Sequence, residues 1–102
     1  MQIQLNYGDV DSTDALSNHV TTHVEKELAH SQSRVTRVEV HLRDDKQKRQ
    51  GPDDNRCTME ARIAGDQPLV VEARADDLYK AISDAAGKLG RAVKGRLERM
   101  DR

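Results

Sequence analysis

Hydrophobic and polar residues alternate from the first position, with Met1, Ile3 and Leu5 separated by Gln2, Gln4 and Asn6. A period of two puts successive side chains on opposite sides of extended backbone, so this segment predicts a half-buried strand that Gly8 and Asp9 end. The period then changes: Leu16, Val20, Val24 and Leu28 recur every four residues, which is one stripe along a helix. Ser12 or Thr13 can cap that helix, and Asp14 lies favourably near its positive end. It is expected to fade between His30 and Ser33. Alternation returns from Val35 to Arg43, with Val38, Val40 and Leu42 facing one way and Arg37, Glu39, His41 and Arg43 the other. Residues 44–55 contain no apolar side chain and include Gly51-Pro52, which predicts a loop whose Lys46, Lys48 and Arg49, flanked by aspartates, form a solvated tip. A third strand follows from Arg56 to Ile63, with Cys57, Met59, Ala61 and Ile63 on its apolar side. Ala64-Gly65-Asp66 supplies a tight turn, and Pro68 opens a fourth strand lined by Leu69, Val71, Ala73 and Ala75. Asp76 or Asp77 caps a last helix, in which Leu78, Ile82, Ala85, Ala86, Leu89, Val93, Leu97 and Met100 share one arc.

Each helix therefore has one apolar stripe and each strand one apolar side. The arrangement that hides them all is an α+β two-layer β-α-β-β-β-α sandwich, a four-stranded mixed sheet with both helices on one face. The helix between the first two strands allows a parallel crossover, whereas the short turn after Ile63 demands antiparallel neighbours. Residues 1–102 then form a single domain. The other sheet face is left to water and bears Arg37, Glu39, His41, Thr58, Glu60, Arg62, Glu72 and Arg74, whose opposite charges are expected to pair across strands.

Only 35% of the residues are hydrophobic, with no Phe or Trp, so the core of this domain is small. Cys57 is the single cysteine; it excludes an intrachain disulfide and, on an apolar strand side, serves as a small hydrophobe. No apolar run approaches the ~20 residues that span a bilayer, and the N-terminus lacks the basic start and apolar block of a secretion signal. Cytoplasmic residence and no membrane partner are expected.

Charge changes the picture further. The net charge of −1 hides a split: residues 78–102 carry seven cationic and three acidic side chains, residues 1–77 ten and fifteen. On the last helix Lys80, Lys88, Arg91, Lys94, Arg99 and Arg102 fall broadly opposite the apolar arc. A row of cations about one turn apart suits closely spaced phosphates, whose neutralisation releases counterions and gives affinity without reading bases. Asp84, Glu98 and Asp101 interrupt the row, and a merely solvated helix face is the competing reading. Lys26 is the one cation on the first helix, and Arg37, Arg62 and Arg74 on the exposed sheet could assist. No Gly-rich phosphate loop, paired carboxylates in an apolar pocket or serine elbow occurs, which predicts a non-enzyme with no cofactor and no small-molecule substrate. His19, His23 and Glu27 share a helix face, but no Cys or Asp cluster completes a metal site; protonation of these histidines and His30 below about pH 6.5 would instead add charge to the first helix. Tyr79 lies at the margin of the apolar arc and is expected to pack in the core rather than stack on a base. Gly87, Gly90 and Gly95 each cost ~1 kcal/mol in a helix, implying either a loose helix end or a close approach by something such as a phosphate.

The order of elements, together with the Met-Gln-Ile-Gln-Leu opening, Thr13-Asp-Ala-Leu16 with His19-Val20, Val35-Thr-Arg-Val38-Glu-Val40, Asp77-Leu78-Tyr79-Lys80-Ala81-Ile82 and Lys88-Leu89-x-Arg91-x-x-Lys94, resembles the short bacterial ribosome hibernation factors. These are also called ribosome-associated inhibitors or sigma-modulation proteins. The resemblance covers nearly the whole chain. It implies a protein, monomeric when free, that enters the small ribosomal subunit, lies along the channel for messenger and transfer RNA, and blocks translation when growth slows. Lys88, Arg91 and Lys94 match basic positions of the family's last helix, which face ribosomal RNA. The site implied is therefore Lys26, Lys80, Lys88, Arg91, Lys94 and Arg99, with the small subunit and its rRNA as partner. From a different class, an α+β protein-interaction or stress-regulatory module without ribosome affinity would show the same charged surfaces.

Overall fold

The computed structural model describes residues 1–44 and 55–102. Six elements follow one another: β1 (Gln2–Asn6), α1 (Asp14–Glu27), β2 (Val35–Asp44), β3 (Asn55–Ile63), β4 (Leu69–Ala75) and α2 (Leu78–Met100). Thr13 is the α1 cap; its hydroxyl oxygen accepts the Leu16 amide at 3.1 Å, satisfying one of the donors a helix start leaves open. Leu28 lies one residue past the helix yet is buried with Leu16, Val20 and Val24. The loop expected over 44–55 is shorter at both ends, because the ladder continues until Asp44 pairs with Asn55. Its tip, with Lys46, Lys48 and Arg49, lies outside the described residues. Gly65 takes a positive φ of 79° in the turn between β3 and β4, a conformation that β-carbon sterics disfavour in other residues.

The strands lie in chain order, β1-β2-β3-β4, with β1 parallel to β2 and the remaining pairs antiparallel. This is the mixed sheet that the element order predicts. Val38, Val40 and Leu42 of β2 join Cys57, Met59, Ala61 and Ile63 of β3 and Ala73 and Ala75 of β4 beneath the helices, all in one cluster with the apolar stripes of α1 and α2. Val35 is also buried although it stands three residues before Val38; a register shift between Val35 and Arg37 turns it inward.

On the open face the register places like charges opposite one another. Arg37 faces Arg62, Glu39 faces Glu60, and Arg43, Arg56 and Arg74 form one row across three strands. The expected pairing of opposite charges across strands is thus largely replaced by pairing along them. Arg37 ion-pairs with Glu39 at 3.7 Å and Arg62 with Glu60 at 4.0 Å, and Arg74 donates to Glu72 at 3.2 Å; among the described residues the cross-strand ion pair is Arg62 to Glu39, at 3.8 Å, and it is diagonal. Glu39 keeps its carboxyl below the usual range chiefly by hydrogen bonding with Glu60, aided by the charges of Arg37 and Arg62. Residues two apart share a sheet face, so each strand supplies its own counterions.

Candidate nucleic-acid interface

Asp77 starts α2 by accepting the Tyr79 amide at 2.7 Å. The helix then runs 23 residues, and Ala81, Ile82, Ala85, Ala86, Leu89, Val93 and Leu97 bury one face on β3, β4 and α1. Leu78 and Met100, expected in the same arc, are partly buried at its ends. Docking by this length of apolar face holds the other face in a fixed orientation.

Lys80, Lys88, Arg91, Lys94 and Arg99 are all exposed on α2, and Lys26 is exposed in the last turn of α1. Among the described residues, no carboxylate oxygen lies within 4.0 Å of any of them. Lys88 leans off the helix toward the sheet edge and donates to the carbonyl of Glu72 at 2.9 Å. The acidic residues that interrupt the row are partly drawn elsewhere: Asp101 is gripped by Arg34 through two hydrogen bonds of 3.1 and 3.3 Å. Arg96, by contrast, is a structural cation. It donates to Asp66 at 2.7 Å, ties the β3–β4 turn to α2, and is the first cause of an Asp66 carboxyl held below its ordinary value. Between α2 and the β4 edge, Arg74, Asp84, Gly87, Lys88 and Arg91 line a hollow of about 330 Å³.

The three helix glycines separate into two kinds. A β-carbon on Gly90 would stand 3.0 Å from the Glu27 carbonyl oxygen and 3.2 Å from the Glu27 β-carbon. Gly90 is therefore where α1 approaches α2 closely, so the approaching group is protein rather than the phosphate considered from sequence. Gly87 and Gly95 look outward, and the nearest atoms to an added β-carbon are the guanidinium tips of Arg91 and Arg99 at 3.4 and 3.6 Å. Neither marks a frayed end, because α2 continues unbroken to Met100.

His19 and His23 fill the seam between the helices. His19 Nε2 lies 2.9 Å from the Tyr79 carbonyl oxygen and 3.1 Å from Ser83 Oγ, and the His19 and His23 rings are 4.3 Å apart. Ser83 donates to the same Tyr79 carbonyl at 3.0 Å. Burial, and then the neighbouring His19 and Lys26, push the His23 pKa below its ordinary 6.5. These two rings face α2 rather than outward, so the added cationic surface expected from protonation does not follow from their placement, whereas His30 is exposed. Tyr79 differs from expectation too. It is 41% exposed and packs edge-on against His19 at 5.0 Å, because the second residue of a helix lies ahead of the turn that first meets the sheet. Cys57 is buried as its strand side requires, and burial pushes its thiol up to about 12.

A mixed four-stranded sheet roofed by two helices, with uncompensated cations along the longer one, defines a two-layer α+β domain whose distinctive surface is a cationic helix face. Residues 3–101 match the model for the family described as sigma 54 modulation protein / S30EA ribosomal protein, and the chain belongs to that family. Two solved structures share the fold. A ribosomal subunit interface protein from Coxiella burnetii superposes with a TM-score of 0.75 at 19% identity, over 96% of this chain and 99% of that one. The N-terminal domain of Thermus thermophilus Protein Y gives 0.73 at 24% identity, over 92% and 97%. No curated protein matches the chain in sequence. Among the described residues no helix is long and apolar enough to cross a membrane.

Proposed function

We propose that this protein binds the small ribosomal subunit through its rRNA and restrains translation there as a cytoplasmic hibernation factor, monomeric when free. Lys80, Lys88, Arg91, Lys94 and Arg99 supply the contact surface, with Lys26 beside them. The observation that carries the reading is the exposed α2 face, on which these cations stand clear of carboxylates while the opposite face is locked into the core. Membership of a family that includes the S30EA ribosomal proteins supports it, as does a shared fold with a protein described as a ribosomal subunit interface protein. Binding of this kind works through phosphate neutralisation, so affinity is expected to fall steeply with salt, with a slope that counts the cations engaged.

Sedimentation with purified small subunits at low and high salt tests the proposal. The protein is expected to co-migrate at low salt and to lose co-migration in Lys88→Glu/Arg91→Glu, with an unchanged circular dichroism spectrum. Failure of the parent protein to co-migrate even at low salt would point instead to a protein-interaction module.

A further inference from the structure

Where α1 meets the start of α2, four donor atoms that the ribosomal reading does not use come together. His19 Nε2 stands 2.9 Å from the Tyr79 carbonyl oxygen and 3.1 Å from Ser83 Oγ. His23 Nε2 stands 3.5 Å from the same Ser83 Oγ, which is itself 3.0 Å from the Tyr79 carbonyl oxygen. Each helix supplies one pair: His19 and His23 are one turn apart on α1, and Tyr79 and Ser83 one turn apart on α2. Packing of the helices then sets one pair against the other. Four of the six distances among these atoms therefore lie between 2.9 and 3.5 Å. Metal–ligand bonds of about 2.0–2.1 Å at tetrahedral angles hold neighbouring donors ~3.3 Å apart, so the cluster already has the edge lengths of a four-coordinate metal site.

We infer that His19, His23, Ser83 and the Tyr79 carbonyl form a zinc-binding site that fastens α1 to α2. The two imidazoles decide the kind of cation. Nitrogen ligands suit zinc and its neighbours among the transition metals, whereas magnesium and calcium take about six or more oxygens. Zinc has no electronic preference for geometry and accepts a tetrahedral set of two nitrogens and two oxygens. Among the described residues no third His, Cys, Asp or Glu joins the group, so the oxygens of α2 complete it where Cys or Asp was sought in the sequence. Existing hydrogen bonds do not block the ion. An imidazole can carry its proton on Nδ1, which frees the Nε2 lone pair, and the cation then takes the bridging place that protons hold without it. Both rings and Ser83 are half-buried rather than sealed, which leaves a route from solvent. Of the neighbouring charges Glu27 favours a bound cation and Lys26 opposes it. With no charged ligand, the site is suited to reversible occupancy rather than to the permanent hold of a thiolate centre. Gly90 and Glu27 close the seam about two turns further along α2, and the cation would pin its other end. Nothing in this inference rests on rRNA binding.

Isothermal titration of zinc chloride into the untagged full chain, stripped with EDTA and desalted, tests the site, with His19→Gln, His23→Gln, Ser83→Ala and the control His30→Gln alongside. The parent protein is expected to take up one equivalent, and its melting temperature to climb as zinc is added, since a ligand held only by the folded state stabilises it. His19→Gln and His23→Gln should each abolish uptake. Ser83→Ala should weaken it by about tenfold, the scale on which groups supporting a metal site act, and His30→Gln should leave it unchanged. Circular dichroism without zinc reports folding, so one histidine variant carries the test if the other does not fold. Absence of uptake by the parent, uptake that survives both histidine changes, or equal uptake of magnesium would overturn the site. Loss in the histidine variants with no effect of Ser83→Ala would overturn the link to α2, because the ion would then sit on α1 alone.

Discussion

Substituting alanine separately at the three glycines of α2 tests how the helix that carries the cations is held. Glycine in a helix interior costs about 1 kcal/mol relative to alanine, so each change begins with that gain. At Gly87 and Gly95 nothing opposes it, since the nearest atoms to the new β-carbon are the tips of flexible arginine side chains at 3.4 and 3.6 Å. Stabilisation by about 0.5–1 kcal/mol is expected there, which in a domain of this size raises the melting temperature by roughly 2–8 °C. At Gly90 the new carbon meets the carbonyl oxygen of Glu27 at 3.0 Å, its β-carbon at 3.2 Å and its carboxylate at 3.1 Å. The carboxylate can swing away, but the carbonyl and β-carbon move only with the backbone of α1. Relaxing to an ordinary contact demands that the last turn of α1 retreat by a few tenths of an ångström, and overpacking of this kind costs ~1–3 kcal/mol. The steric cost therefore equals or exceeds the propensity gain, and Gly90→Ala is expected to be neutral or to destabilise by up to about 2 kcal/mol. Gly90→Val should be worse, because its branched side chain adds bulk at the same contact and its rotamers are restricted in a helix. Thermal and urea denaturation followed by circular dichroism at 222 nm measure all four variants. Gly90→Ala as stabilising as Gly87→Ala would refute the close crossing of α1 and α2 at Glu27.

Other expectations follow from single side chains. Cys57, buried and with its thiol pushed up to about 12, should react with a thiol reagent at the rate of global opening, and a native-state reaction as fast as that of free cysteine would contradict its placement. His23 has its folded pKa lowered, so the stability linked to it is complete above the ordinary value near 6.5 and is lost as pH falls toward the folded value. His23→Gln should flatten the stability profile in that window, and an unchanged profile would show that the seam does not disfavour the charged ring. Asp66 is also lowered, by Arg96 first, and its contribution is present above the ordinary 3.8 and lost as pH falls through the folded value. Arg96→Gln should therefore shrink acid sensitivity below that pH, while leaving stability less changed under acid than at neutrality. Leu89, fully buried in α2, should cost about 2–5 kcal/mol when cut to alanine, measured by the same urea titrations.

The periodicities of the chain determined its elements, because the side-chain periods of strands and helices leave their mark wherever one face must avoid water. The strand alternation around Val38, Val40 and Leu42, the helix stripe of Leu16, Val20, Val24 and Leu28, the capping of α2 by one of Asp76 and Asp77 and the burial of Cys57 were all legible, and so was the two-layer architecture that hides the apolar sides. The cationic face of α2 was legible for the same reason: residues opposite a buried stripe have only solvent to face. Other features depended on which elements touch, and nothing local encodes that. Gly90 could be understood only once Glu27 stood against it, His19 and His23 were turned into the helix seam by Ser83 and Tyr79, and Arg96 became distinct from its cationic neighbours when Asp66 came within reach. The arginine row came last of all, since Arg43, Arg56 and Arg74 are far apart in the chain and became neighbours through strand register alone. Sequence spacing reports which way a side chain points along its own element; tertiary contact decides what it meets.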